Sequence, residues 1–253
     1  MRRIYFSFIL LVLVWNLTAF QNNETLIYDI KYGMITAGES SLSIEESTYK
    51  DSIDIYRILS IAKTNSFFDN VFKVRDKIES IWRKDDMQSL RFTKKLKEGK
   101  YRQHRIHFYY PEQGFTIYTK FGRKTKKAKE KRMEIQPFTQ DILSAFYYFR
   151  YQEFAVGDTV TVNVTADGRS YRAKIIGRKL VTIETIFGNK ECIVAEPIID
   201  GEAIFKQTGK ILIWVTNDEY KIPVKLSSKI VFGSFKAILK DAKNVPYKIV
   251  KNK

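Results

Sequence analysis

The chain has one cysteine, Cys192, and two histidines, His104 and His107, in 253 residues. One cysteine allows neither an intramolecular disulfide nor a cysteine-ligated metal cluster. The histidines are three apart on an expected strand, so they point to opposite faces and cannot share a metal there. The sequence has no Gly-x-Ser-x-Gly elbow, no Gly-x-x-x-x-Gly-Lys phosphate loop and no His-Glu-x-x-His. A triad hydrolase, a P-loop nucleotidase and a zincin are thereby disfavoured. Carboxylate pairs such as Asp85-Asp86 read as turns rather than as acid–base pairs. The chain therefore reads as a non-enzyme with no cofactor. Glycine and proline are also scarce, at 12 and 5. That is not the composition of a disordered chain.

Aromatic residues are plentiful: 15 Tyr, 18 Phe and 3 Trp. At the N-terminus, Arg2 and Arg3 precede an apolar run from Ile4 to Trp15, followed by small and polar residues to Gln21. This is the layout of a secretory signal peptide. The run is short for a span of ~20 residues. Cleavage is expected after Ala19, leaving one β-rich domain over 20–253, with halves that could meet near Pro137. The expected address is the periplasm, as a soluble protein. Formal charge is +16, of which Arg2 and Arg3 would leave with the leader. A basic exported protein suits polyanions or anionic membrane surfaces.

Apolar residues recur at period two almost throughout, which predicts strands. Leu26, Tyr28, Ile30 and Tyr32 share a face, as do Val74, Ile78 and Trp82. Asp167-Gly168, Gly188-Asn189 and Asn217-Asp218 read as hairpin turns. Strands at this spacing predict a mainly β fold, an antiparallel curved sheet that is barrel-like or half-barrel. One helix is expected over about 139–150, capped by Thr139, with Ile142, Phe146 and Phe149 on a stripe that packs on the sheet. Arg150 at its end is expected to pair with Asp76 or Asp218, fixing the helix. Gly38 and Gly233 are expected at bends, and Pro223 at an edge or bulge. Cys192 reads as an inert core thiol.

Two segments are strongly basic, 94–105 and 122–132. The second carries Arg123, Lys124, Lys126, Lys127, Lys129, Lys131 and Arg132 against Glu130 alone. It reads as a loop or hairpin end for anionic contacts. No aromatic residue is interleaved there, so nucleic-acid stacking is not supported. Anionic lipid or glycolipid headgroups suit the address better. An aromatic-lined sheet interior could take an acyl chain or be filled by side chains.

Several blocks resemble one family. They are Tyr28 to Gly33 with Ala37-Gly38-Glu39; Phe72 to Asp76; Asp141 to Arg150; and Trp214 to Asp218, Ile222-Pro223-Val224, Gly233-Ser234-Phe235 and Leu239. In that order they resemble the exported proteins grouped as domain of unknown function 3108. The resemblance implies a periplasmic half-barrel of a Gram-negative bacterium and gives Trp214 and Asp218, like Asp76 and Arg150, a structural reading. It implies no activity and carries over no binding residue. The leading expectation is a carrier for an anionic or amphiphilic envelope component, with peripheral membrane contact. The alternatives are a filled-core factor that binds an envelope protein and, third, a hydrolase of envelope polymers.

Overall fold

The computed structural model describes residues 19–122, 128–199, 210–229 and 234–250. The first half comprises β1 (Thr25–Tyr32), β2 (Ile35–Tyr49), β3 (Ile53–Thr64), α1 (Ser66–Phe72), β4 (Arg75–Arg83), β5 (Ser89–Glu98), β6 (Tyr101–Tyr110), β7 (Phe115–Phe121) and β8 (Ala128–Glu134). Then come α2 (Ile142–Tyr151), β9 (Thr159–Ala166), β10 (Arg169–Thr185), β11 (Gly188–Ile199), β12 (Ile211–Thr216), β13 (Pro223–Lys229) and β14 (Ser234–Lys243).

All 14 strands join one antiparallel sheet in the order β8-β7-β6-β5-β4-β3-β2-β1-β14-β13-β12-β11-β10-β9. The curved, unclosed sheet is the expected half-barrel. It rolls until the β9–β10 hairpin rests on the concave side of β5–β7. Tyr109 Oη there donates to the Thr165 carbonyl at 2.5 Å, and Gly168 N–H donates to His107 Nε2 at 3.1 Å. Asp167 and Gly168 both have positive φ, 51° and 79°. A Cβ on Gly168 would lie 2.8 Å from Tyr118 Cε1, so turn and contact both require glycine.

The two edges are protected differently. The free edge of β9 is covered by Gln140, whose N–H donates to the Asn163 carbonyl and whose carbonyl accepts from Thr165 N–H, each at 2.9 Å. The edge of β8 carries exposed Lys129, Lys131 and Arg132. Charged side chains on an edge oppose pairing with another chain.

Odd-numbered strands run one way and even-numbered strands the other. The odd-to-even connections therefore gather at one end, called here the rim. It includes the Gly33-Met34 turn, α1, the Gly99-Lys100 turn and Asp167-Gly168. Helix α2 crosses the concave face towards the other end. Its side chains join three apolar clusters: Tyr147 with Ile44, Ile58 and Trp82; Leu143, Ala145 and Tyr148 with Phe92, Val162 and Val164; Phe149 with Phe154, Ile193 and Val215. The half-barrel is thus plugged at one end by a helix and faces the rim at the other.

Several expectations need correction. Asp141, not Thr139, caps α2: its Oδ1 accepts from Leu143 and Ser144 N–H, and Ser144 Oγ accepts from Asp141 N–H. Thr139 is instead buried in the segment that adds to the β9 edge. The β10–β11 turn falls on Ile186-Phe187, because Thr185 pairs with Gly188 and places Gly188-Asn189 inside β11. Reading for alternation passes over α1, which buries none of its residues. Asn65 is its signal, with Oδ1 accepting from Phe68 N–H at 2.9 Å. Pro223 lies beside a bulge as expected, but on an interior strand. Gly38 does sit at an irregularity, opposite Ile30, where a Cβ would come 2.2 Å from the Lys63 carbonyl oxygen. Gly233 and residues 1–18 of the expected leader lie outside the described residues.

Arg150 pairs with neither Asp76 nor Asp218. Its Nη1 and Nη2 donate to Glu24 Oε1 and Oε2 at 2.6 and 2.9 Å. Nη2 also reaches the Ala19 carbonyl at 2.9 Å, and Nε the Tyr220 carbonyl at 2.8 Å. Arg150 and Glu24 are both fully buried. The helix end faces the start of β1, so Glu24 is the carboxylate within reach. Asp76 accepts from Lys97 N–H on the neighbouring strand. Asp218 organises the β12–β13 connection, accepting from Thr216 Oγ1 at 2.9 Å, Tyr220 N–H at 3.0 Å and Tyr247 Oη.

Candidate ligand site on the concave face

Period-two alternation puts one face of every strand on the inside. Around α2 those inward residues are apolar and leave space. One cavity of about 260 Å³ lies between Ile142, Phe146 and Phe149 of α2 and Val162, Tyr171, Ala173, Ala195 and Ile213 of β9–β12. A second, of about 270 Å³, lies on the other flank of Ile142 and Phe146, against Tyr28, Leu42, Ser60, Leu226 and Ala237. A third, of about 480 Å³, lies nearer the rim among Ile30, Tyr32, Gly38, Ala62, Thr64, Phe235 and α1. Ile30 and Ala237, from the third and second cavities, are direct register partners. The cavities therefore occupy successive layers from the rim down to α2.

The wall formed by β5–β8 is charged. Lys94 pairs in register with Arg105, Arg105 with Lys120, and Lys120 with Lys129. Four cations thus form one cross-strand row. Like charges directly opposite one another destabilise a sheet. Asp167 answers two of them, with Oδ2 2.7 Å from Lys94 Nζ and Oδ1 3.4 Å from an Arg105 nitrogen. Among the described residues, no carboxylate forms an ion pair with Lys120 or Lys129.

The row and the cavities meet. Ile78 is the register partner of both Lys94 and Ser60, and Ser60 lines the second cavity. Asp167 lies beside Tyr171, which lines the first. Burial, then the Asp167 charge, pushes the Tyr171 hydroxyl up to about 12, so it remains a neutral donor. The site is an apolar hollow with a cationic margin.

Of the residues the sequence marked for anionic contact, Lys129 joins the row. Lys131 is the register partner of inward-facing Tyr118. Arg132 lies on the other face, its guanidinium carbon 3.6 Å from the Phe115 ring centroid. Arg123, Lys124, Lys126 and Lys127 lie outside the described residues. Asp76, Arg150 and Asp218 have the partners given above. Trp214 stacks under Lys225 Nζ at 4.5 Å. Lys94 and Arg105 belong to the other basic segment, 94–105. Lys120 was missed, being a single lysine within an apolar strand. Cys192 is buried, and burial pushes its thiol up to about 11. Among the described residues, no three His, Cys, Asp or Glu side chains cluster as metal ligands, and no helix is long and apolar enough to cross a membrane.

The two histidines do face opposite ways. His104 stacks on Phe121 at 4.2 Å. His107 is fully buried, near Thr116 Oγ1 at 3.2 Å, and accepts from Gly168 N–H. Burial lowers its pKa from 6.5 to about 4. In the unfolded chain the imidazole takes a proton below about 6.5 that the folded chain refuses until about 4. This contribution is therefore fully present above the unfolded pKa and is lost as pH falls through that window. Urea unfolding at pH 7.5 and 4.5 should show a loss of about 2–3 kcal/mol that His107→Phe lacks. An equal loss in the variant would show that another group is responsible.

The family model described as "Protein of unknown function (DUF3108)" matches residues 27–240. No curated protein matches the chain. Among solved structures, a β-barrel-like protein of domain of unknown function DUF1849 from Brucella abortus aligns with TM-score 0.55 at 11% identity, covering 92% of this chain and 100% of that one. A protein with a YmcC-like fold from Bacteroides fragilis aligns with TM-score 0.33 at 8% identity, over 88% of this chain and 97% of that one. At these identities the first likeness shows the fold alone, and the second supports no conclusion.

Proposed function

The chain belongs to the DUF3108 family, and from that premise we propose that it binds, without catalysis, an amphiphile whose apolar chain enters the concave face and whose anionic head meets the cationic row. The observation that carries this reading is the adjacency of the two surfaces. Apolar cavities flank Ile142 and Phe146, while Lys94, Arg105, Lys120 and Lys129 line the neighbouring wall. Lys94 and Arg105 are largely buried and answered by Asp167, which leaves Lys120 and Lys129, without an ion-pair partner among the described residues, as the cations that meet the headgroup. An acyl chain displaces poorly held water from the hollow, and the cations then select the headgroup. The reaction class is reversible carriage of a lipid or glycolipid outside the cytoplasm.

Titration with a fluorescent fatty acid and its uncharged methyl ester separates the two surfaces. The parent should prefer the acid by about ten-fold, the equivalent of one charge-assisted hydrogen bond. Lys120→Gln with Lys129→Gln, which removes the two cations that Asp167 does not answer, should remove that preference and leave ester binding unchanged. Equal affinities for acid and ester in the parent would remove the cationic row from the reading.

A further inference from the structure

We propose that the rim docks on the surface of an anionic phospholipid bilayer, with α1 and the β1–β2 hairpin as the inserted elements. At this end, side chains that ordinarily face a core face outward instead. Met34 is 96% exposed, Phe67 68% and Val71 72%, with Ile35 and Phe72 also exposed. They form one patch. Asn65, the cap of α1, donates from its N–H and Nδ2 to the Ala37 and Thr36 carbonyls, which seats α1 against the start of β2. Phe72 lies over Gly99, where a Cβ would come 2.8 Å from its ring, and this brings in the β5–β6 turn. An exposed apolar patch of this kind marks an interaction surface.

The charge around the patch chooses the occupant. Lys31 and Lys236 stand directly opposite each other on β1 and β14, a like-charge pair at the rim. Lys73, Lys100 and Arg102 flank α1 and the β5–β6 turn, all exposed. Of the nearby carboxylates, Asp69 is engaged by Arg75 at 2.6 Å and by Lys73 at 3.8 Å, and Glu39 by Lys63 and Lys240 at 3.3 and 2.8 Å, while burial and neighbouring Asp76 push the Glu98 carboxyl at the cavity mouth up towards its neutral form. Apolar side chains ringed by lysine and arginine suit the headgroup region of an anionic leaflet. A purely apolar protein groove would leave the lysines unanswered. The cavity of about 480 Å³ opens beside this patch and is lined by Val71 and Phe72 themselves. Docking would therefore set the mouth of the hollow against the lipid. This goes beyond binding in the interior and does not require it.

The test is co-flotation with vesicles of phosphatidylcholine alone and of equal parts phosphatidylcholine and phosphatidylglycerol. The parent should float with the anionic vesicles only, and less so at high salt. Phe67→Ser with Val71→Ser, at exposed positions that leave the fold intact by circular dichroism, should weaken flotation by about ten-fold or more. Fluorescent fatty-acid binding should be unchanged in Met34→Ser with Phe67→Ser, whose positions line none of the three cavities and whose flotation should be weakened alike, and this separates docking from interior binding. Flotation of either variant equal to the parent would overturn the proposal, as would a parent indifferent to phosphatidylglycerol. A dimer in sedimentation velocity that the same substitutions dissociate, with no flotation, would assign the patch to a second copy and overturn it too.

Discussion

Replacing Arg150 with methionine is expected to destabilise the fold by about 3–5 kcal/mol, the range for stranding one partner of a buried ion pair. Glu24 would be left fully buried with the Tyr147 hydroxyl at 3.5 Å as its remaining side-chain partner. The Tyr220 carbonyl would lose its donor as well. Three segments meet at this guanidinium: the residues before β1, the end of α2, and the β12–β13 connection, whose Lys221 Nζ reaches the Arg150 carbonyl at 3.3 Å. Urea unfolding should show a lower midpoint with an unchanged slope. The double variant Glu24→Gln with Arg150→Met should recover much of the loss, because no charge is then buried alone. A single-variant loss below about 1 kcal/mol, the scale of an exposed pair, would show that the ion pair does not hold the helix. Asp76→Ala should leave α2 in place, since Asp76 bonds to Lys97 N–H instead.

Ala173→Trp carries the second large effect. Ala173 points into the 260 Å³ cavity from β10, between its register partners Val162 and Ile199. An indole there would occupy the space proposed for the chain of the amphiphile. Because the bulk enters a void rather than a filled core, the stability cost should stay near the low end of the ~1–3 kcal/mol typical of overpacking. Binding of fatty acid and methyl ester should both weaken by about a hundred-fold, as expected when a buried apolar chain is excluded. The neutralised row is expected to lose only the preference for acid over ester. The two variants therefore report on two parts of one site. Unchanged binding in Ala173→Trp would place the ligand elsewhere.

Local signals account for much of the fold. Alternation in Leu26 to Tyr32 and in Val74, Ile78 and Trp82 predicted which side chains face inward. Asp167-Gly168 carried its turn in its own chemistry. The Asp141 to Arg150 segment announced a helix, although its cap fell on the residue whose side chain had two donors to satisfy. What could not be read required pairing between distant segments. Glu24 and Arg150 are 126 residues apart, and nothing local joins them. Lys94 and Arg105 stood out as one basic segment and Lys129 as part of another. Their alignment into a row, with Lys120 between, depends on the registers of β5–β8. Helix α1 escaped notice because its apolar residues face solvent, so it has no buried stripe to detect.

The most direct measurement of the central claim is native mass spectrometry of the protein mixed with a long-chain fatty acid, parent beside Ala173→Trp. A one-to-one adduct is expected on the parent and should be lost in the variant. A bare parent mass under the same conditions, or an adduct that the tryptophan leaves untouched, would contradict that claim.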